Sequence, residues 1–315
     1  MLIVNNITKS FGDVKANDMI NFSVKKGEVF GLLGPNGSGK TTLISQLIGF
    51  LKPDKGSITV SDIDVIKNPA LGRKLCSLQP QDNISLSGLT PRQAIELAGK
   101  FRKGNPAMIK RRTETLLKKL QLEKWADKIS ENLSGGIRRL TTFCMAVIVP
   151  GKLVILDEPT NDVDPIRRKL LWDQVNELAN NGITVLLITH NVLEAEKSVD
   201  RLALIHNGKI VKLGTPAQLK SDFKERLRLQ LSLSEKNKTL SFPNYATIIQ
   251  HTTQKITLSI PKNYSKQVIE WVEPLQSEQI IDEFTLSPAT LEDAYLKFID
   301  RRDYNPLGGT EHVLH

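Results

Sequence analysis

Cysteine is scarce. Cys76 and Cys144 are the two in 315 residues, too few to staple a chain of this size, and neither stands in a metal-binding or Cys-x-x-Cys spacing. A disulfide-framed secreted domain is therefore excluded and a reducing compartment is expected. Aromatic residues make up 5% of the chain, which weakens any case for binding single-stranded nucleic acid by stacking. Long apolar runs are missing as well: no stretch reaches the roughly 18 to 20 residues that a spanning helix needs. The opening MLIVNNITKSFG lacks a basic segment followed by an apolar one, so neither a membrane crossing nor a signal peptide is expected.

What is present is the composition of a folded protein. With 40% hydrophobic and 24% charged residues the chain suits one large domain or two ordinary ones. A net charge of +9 favours anionic partners, whether nucleotide phosphates, lipid headgroups or nucleic acid.

Apolar and polar residues alternate from Leu2 through Val24 between turn-forming pairs such as Phe11-Gly12 and Lys26-Gly27, which predicts short strands and hairpins. After the apolar run Val29–Leu33 comes GPNGSGKTT, residues 34–42. The stripe Leu43, Ile44, Leu47, Ile48 and Leu51 then predicts a helix ended by Lys52-Pro53. Thr90-Pro91 and Asn105-Pro106 open two further helices, to about Lys103 and Leu122, in a middle block rich in lysine and arginine. The continuous apolar runs Leu153–Leu156 and Ile183–Ile188, separated by a helix-length segment, read as buried parallel strands with crossover helices. Near residue 222 the texture changes to strand-like Leu227–Leu233 and Ile256–Ile260. Two helices are expected there, one near Ser265–Val272 and one from Thr290 to Arg301, the second opened by a capping box with Asp293 in place of glutamate. No internal repeat and no low-complexity tract occurs.

Gly34-Pro-Asn-Gly-Ser-Gly39-Lys40-Thr41 satisfies the pattern G-x-x-x-x-G-K-S/T. Its glycines let backbone N–H groups face phosphate oxygens at a helix N-terminus, with Lys40 reaching the β and γ phosphates and the Thr41 hydroxyl taking Mg²⁺. Strand before and helix after are the context this motif requires. The strand Leu153–Leu156 ends in Asp157 and Glu158. Asp157 at its tip suits a magnesium site reached through water, and Glu158 suits the group that polarises an attacking water.

These residues, together with LSGG at Leu133–Gly136, Asp164-Pro165 and LLITHN ending near His190, resemble the ATP-binding cassette (ABC) ATPases over residues 1 to about 220. The resemblance implies an α/β P-loop NTPase fold: a parallel-sheet core, an antiparallel β subdomain and a helical subdomain at about 85–150. The cassette would occupy 1–221, a small C-terminal α+β domain 222–302 and a flexible tail 303–315. The resemblance also implies that Gly34, Asn36, Gly37, Ser38, Gly39, Lys40, Thr41 and Thr42 hold ATP, and that Phe11 stacks on adenine. Gln81 would touch Mg²⁺ and the attacking water and sense a membrane partner. Thr41 and Asp157 would complete the metal site, while Ser134 and Gly136 would bind the γ-phosphate held by the opposite subunit. His190 would switch on that phosphate and Asp164 would link the two sites. ATP would then join a head-to-tail pair of cassettes, and its hydrolysis by Glu158, His190, Gln81 and Lys40 would reopen them.

Three departures qualify the pattern. Ile137 stands where glutamine is common, Leu140 stands where arginine is common, and Asn161-Asp162-Val163 replaces a small-glycine-leucine run. Leu140 leaves open what supports the helix behind the signature, and the third departure leaves open how the two sites couple. The ending TLEDAYLKFIDRR is similar to that of exporter cassettes of the daunorubicin-resistance type. It implies a peripheral ATPase subunit at the cytoplasmic face of the membrane, serving a separately encoded permease that exports a drug, antibiotic, lipid-linked molecule or ion. A homodimer of cassettes is expected, and no nucleic acid. The alternatives are a soluble ABC ATPase acting on nucleic acid or the ribosome, which the basic charge favours, and a nucleotide-sensing regulatory subunit. The first sits badly with one cassette in the chain and no room for a long coiled-coil insertion.

Overall fold

The computed structural model describes residues 1–82, 86, 88–129, 132–234 and 240–300. The expected tail at 303–315 and the polar stretch after Ser234 lie outside the described residues. Two compact units divide the chain, Met1–Thr215 and Pro216–His315. The division lies a little ahead of position 222 because Pro216 already opens a short helix that packs within the second unit.

In the first unit the alternating N-terminal stretch forms β1 (Leu2–Phe11) and β2 (Val14–Val24), a hairpin turning at Gly12, whose φ of 56° is left-handed. β3 (Val29–Leu33) is buried at every residue and leads into α1 (Lys40–Leu47). The helix stops before Leu51 because Gly49 takes φ 68°: its N–H donates to Gln46 O and that of Phe50 to Ser45 O, closing the last turn. β4 (Lys55–Val60) and β5 (Ile63–Asp64) complete an antiparallel sheet of order β2-β1-β4-β5.

α2 (Pro69–Leu75) and β6 (Cys76–Gln79) precede the helical block of α3 (Pro91–Phe101), α4 (Pro106–Lys119) and α5 (Gly135–Val147). Thr90 caps α3 through a reciprocal bond with Gln93, and the Asn105 side chain accepts the first free N–H groups of α4. β7 (Leu153–Asp157), α6 (Pro165–Asn180), β8 (Thr184–Thr189), α7 (Val192–Ser198), β9 (Arg201–His206) and β10 (Lys209–Gly214) finish the unit. The central sheet runs β10-β9-β3-β8-β7-β6, parallel except for β10.

The continuous apolar runs are explained by burial on both faces. Leu153 and Ile155 of β7 pack with Leu43 and Leu47 of α1, whereas Val154 and Leu156 pack with Leu140 and Phe143 of α5. β8 divides in the same way. The two helical layers thus brace the C-terminal ends of β3 and β7 from opposite sides, and those ends carry the P-loop and the acid pair.

The second unit holds α8 (Pro216–Leu219), β11 (Arg226–Leu233), β12 (Thr247–His251), β13 (Lys255–Pro261), α9 (Ser265–Ser277), β14 (Ile281–Pro288) and α10 (Leu291–Asp300). Its sheet, β12-β13-β11-β14, is antiparallel, and Val268 and Val272 of α9 cover Leu229, Leu231 and Leu258. The box at α10 is present: Thr290 N–H donates to Asp293 Oδ2 at 2.7 Å. Asp293 Oδ1 accepts from Arg228 of β11 at 2.6 Å, so the helix is fastened to the sheet by a buried ion pair.

Candidate nucleotide site

The site begins where β3 ends. A Cβ at Gly34 would collide with the Ile205 carbonyl, so only glycine lets the chain leave the sheet here. Gly39 is equally constrained, with φ 101° and the Ala16 carbonyl in the space that a Cβ would need. Asn17, wholly buried in β2, donates from Nδ2 to Gly39 O at 3.1 Å, and Gln46 of α1 donates to Asn17 Oδ1 at 2.6 Å. This amide pair pins the loop to the antiparallel sheet.

α1 starts at Lys40 with no side-chain cap and no acid in its first turn, so its first N–H groups face outward under the positive end of the helix dipole. Ser38 Oγ is buried and, among the described residues, has no hydrogen-bond partner. Lys40 is buried as well, its Nζ donating to Gly34 O at 2.8 Å and Pro35 O at 2.9 Å. Burial draws its pKa below the usual lysine value, and the charges of Glu158 and Asp157 oppose that. Nothing in the loop supplies the negative charge that this set of donors is built to meet.

The acids stand across a cavity of about 400 Å³ that Asn36, Gly37, Gly39, Lys40, Thr41 and Thr42 line from one side and Gln81, Asp157 and Glu158 from the other. Asp157 is pushed up to about 6, first by burial and then by the charge of Glu158. Glu158 has φ 49°, unusual for a residue with a side chain, and its N–H donates to Ile188 O at 2.9 Å. Its carboxylate is held by β8 and the loop after it: Thr189 Oγ1 donates to Oε2 at 2.9 Å, and the His190 N–H to Oε1 at 2.8 Å. The His190 ring Nδ1 lies 2.6 Å from the same Oε1.

Sequence reasoning missed the residue that holds this arrangement from behind. Arg139 of α5 is 1% exposed and donates to the carbonyls of Pro80, Gln81, Asp157 and Glu158. Gln79 in turn donates to Arg139 O at 3.2 Å. The departure at Leu140 therefore does not leave the signature helix unsupported. Leu140 is core, and the arginine one position earlier ties that helix to Gln81 and to the acid pair. The available signal was a pair of arginines, Arg138-Arg139, directly ahead of Leu140 in a helix whose remaining residues are uncharged.

Four expected site residues, Phe11, Ser134, Gly136 and Asp164, are not among the residues that line this cavity in the single chain. Phe11 is exposed at the end of β1 under Lys9 Nζ, 5.5 Å from the ring centroid, while Val14 and Ala16 line the cavity. Ser134 caps α5, accepting from Ile137 N–H at 3.5 Å. Gly136 packs on the Asp162 carbonyl, which leaves no room for a Cβ. Asp164 caps α6 and pairs with Arg167 at 2.9 Å. Ser134 and Asp164 are exposed.

The residues present fit a magnesium nucleotide. The free helix N–H groups, the orphan Ser38 hydroxyl and Lys40 suit phosphate oxygens, and the Thr41 hydroxyl shares the cavity with one acidic strand tip. Among the described residues no group of three or more His, Cys, Asp or Glu is arranged to hold a metal ion.

Residues 17–161 match a family model described as ABC transporter. The chain is 38% identical over 217 residues to the Nod factor export ATP-binding protein I of Rhizobium meliloti strain 1021, covering 69% of this chain and 64% of that one. The corresponding Bradyrhizobium diazoefficiens protein is 38% identical over 214 residues, 68% of this chain and 70% of its own. A daunorubicin resistance ATP-binding protein of Streptomyces coeruleorubidus is 35% identical over 221 residues, 70% of each. The chain thus spans less than two thirds of the Rhizobium meliloti relative's length. Among solved structures, an ATP-binding subunit of an ABC transporter superposes with TM-score 0.66 at 27% identity over 71% of this chain and 93% of its own. A nucleotide-free cassette does so with TM-score 0.60 at 31% identity, over 68% and 91%.

Proposed function

The chain belongs to the ATP-binding proteins of ABC transporters, and from that premise we propose that it hydrolyses ATP to drive a separately encoded membrane subunit that exports its substrate. The observation that carries the reading is the cavity in which Lys40, Thr41, Gln81, Asp157 and Glu158 converge while Ser134 and Asp164 stand exposed outside it.

Bound MgATP would supply the scissile phosphoanhydride, with the metal neutralising charge on its β and γ oxygens. Lys40 would exchange its two loop carbonyls for phosphate oxygens, and the N–H groups of α1 would face the same charge. Thr41 and Asp157 would hold the metal, with Gln81 beside it. Glu158 would take a proton from the attacking water, which requires its Oε1 to be released from the His190 ring. Freed from Glu158, His190, 57% exposed at its side chain, can turn toward the γ-phosphate.

A complete site needs a second cassette. Ser134, at the N-terminus of α5, is exposed and lies outside this chain's own P-loop cavity, so it suits the γ-phosphate of a partner arranged head to tail. Asp164, beside Asn161-Asp162-Val163, would sit at that junction. The family relation supports a homodimer joined by nucleotide and reopened by hydrolysis.

The permease surface is proposed in the groove between α3 and α5, about 300 Å³, lined by Leu97, Phe101 and Met145. Phe101 is 79% exposed and suits an apolar helix from a partner. Among the described residues no helix is long and apolar enough to cross a membrane. A peripheral position at the cytoplasmic face is part of this proposal. So is export of a drug, antibiotic, lipid-linked molecule or ion; relatives named for Nod factor export and daunorubicin resistance support the exporting role.

The test is affinity purification of the tagged Glu158→Gln chain from detergent-solubilised membranes in ATP. Recovery of a stoichiometric polytopic protein is expected. Recovery from the soluble fraction with nucleic acid or ribosomes overturns the transport reading.

A further inference from the structure

Glu194 lies in the first turn of α7, four residues after His190, and its own N–H donates to the capping Asn191 Oδ1 at 3.1 Å. Its carboxylate is shared by two other segments. Oε2 accepts the hydroxyl of Thr160 at 2.6 Å, and Oε1 accepts the indole N–H of Trp172 at 2.9 Å. Thr160 is buried two residues after Glu158, and its carbonyl accepts the Val163 N–H at 3.1 Å. Trp172 lies on α6, the helix that Asp164 caps. Among the described residues no ion pair joins Glu194 to a cation, although Arg168, Lys169 and Lys197 line the cavity beside it.

We infer that Glu194 is a positioning residue for hydrolysis, one carboxylate setting the helix behind His190 against both the loop that leaves Glu158 and the helix that Asp164 heads. This inference rests on the reading of Glu158 and His190 as the hydrolytic pair. The geometry gives it content. Glu158 and His190 touch at 2.6 Å, yet they belong to different segments, and the 2.6 Å bond from Thr160 to Glu194 closes a second link between the same two segments. With both links present, the loop and α7 cannot shift independently. With Glu194 cut, the pair depends on contacts at Glu158 alone, which ATP hydrolysis must break and remake. The branch to Trp172 adds the Asp164 helix to the same point, so a motion at the cassette junction reaches His190 through two hydrogen bonds.

Glu194→Ala, Glu194→Gln, Thr160→Val and the Thr160→Val/Glu194→Ala double variant are compared with wild type and Glu158→Gln by steady-state ATPase. The indole N–H resonance of Trp172 is followed by NMR as a readout independent of turnover. Glu194→Ala is expected to lower kcat about tenfold with KM for ATP within twofold of wild type, and to shift the indole resonance. Glu194→Gln, whose amide oxygen still accepts from Trp172 and whose amide nitrogen donates to Thr160, is expected to retain kcat within threefold. The double variant is expected to be no worse than the poorer single one. Wild-type kcat in Glu194→Ala, or equal losses in kcat and KM for Ala and Gln alike, overturns the inference. If Glu158→Gln fully retains wild-type turnover, the functional reading falls first.

Discussion

Oε1 of Glu158 lies 2.6 Å from Nδ1 of His190 and accepts the backbone N–H of the same histidine at 2.8 Å. The acid is thereby held by two donors, the His190 N–H and the Thr189 hydroxyl on Oε2, with the His190 ring nitrogen in contact beside them. Glu158→Gln preserves shape and can retain part of this net but cannot take a proton from water. Turnover is expected to fall at least about 100-fold, the usual worth of a positioned base, while nucleotide affinity stays within a few-fold. Phosphate release and fluorescent-nucleotide titration check this; turnover at the wild-type rate would refute the role.

Arg139 is buried among the carbonyls of Pro80, Gln81, Asp157 and Glu158. Arg139→Met removes the cation and orphans those acceptors, so a loss of about 3 kcal/mol is expected. At roughly 2–4 °C per kcal/mol that is a drop of about 6–12 °C in melting midpoint. Arg139→Lys supplies three donors from one point and is expected to recover part of it. Both variants should also lose turnover, because the guanidinium sets the backbone of Gln81 and of the acid pair. A melting curve equal to wild type would show that the contacts carry no stability.

Burial, and after it the charge of Glu158, pushes the Asp157 carboxyl up to about 6 from an ordinary 3.8. A carboxyl whose pKa is raised by folding favours the folded state most when protonated. Its contribution is therefore fully present below about pH 4 and lost as pH rises through about 6. Asp157→Asn has no charge to desolvate, so the nucleotide-free variant is expected to be more stable than wild type at pH 8, with the difference shrinking toward pH 4. Denaturant midpoints at both pH values check it, and a difference that grows with acidity would contradict the stated cause.

In the second unit, Asp293 accepts from Arg228 at 2.6 Å and from Thr290 N–H at 2.7 Å. Asp293→Ala removes a helix cap and leaves Arg228, 15% exposed at its side chain, without its nearer acid. The expected cost is about 2–4 kcal/mol. Hydrogen exchange should accelerate at least tenfold in residues 291–300, with the amides of β7 and β8 as the unaffected internal standard. Unchanged protection of α10 would mean that its apolar face alone holds it.

Cys76 and Cys144 are free and buried, and burial pushes the Cys76 thiol up to about 12 and Cys144 higher still. A thiolate is the reactive form. Neither thiol is expected to react with an aromatic disulfide reagent in the native protein, and both should titrate in denaturant. Fast reaction of one native thiol would reveal an opening of the core.

Much of the cassette was legible in the chain because its signals are local. The P-loop glycines, the Thr90 and Asn105 caps and the paired apolar runs each state a backbone requirement within a few residues. The end of α1 was misread since periodicity continues to Leu51, while the glycine at 49 stops the helix through backbone geometry. Arg139 was passed over because its partners lie at 80–81 and 157–158, far along the chain. Asn17 escaped for the same reason: nothing around it hints at Gly39.

By itself the sequence determined which residues can bind phosphate and which can handle a proton, since those are properties of side-chain chemistry and of glycine's freedom at a turn. Only the tertiary structure decided that Glu158 meets His190, that Arg139 stands behind both Gln81 and the acid pair, and that Ser134 and Asp164 stand outside their own chain's P-loop cavity. Those relations arise from strand order and two-sided packing of the central sheet, which bring distant segments to one edge.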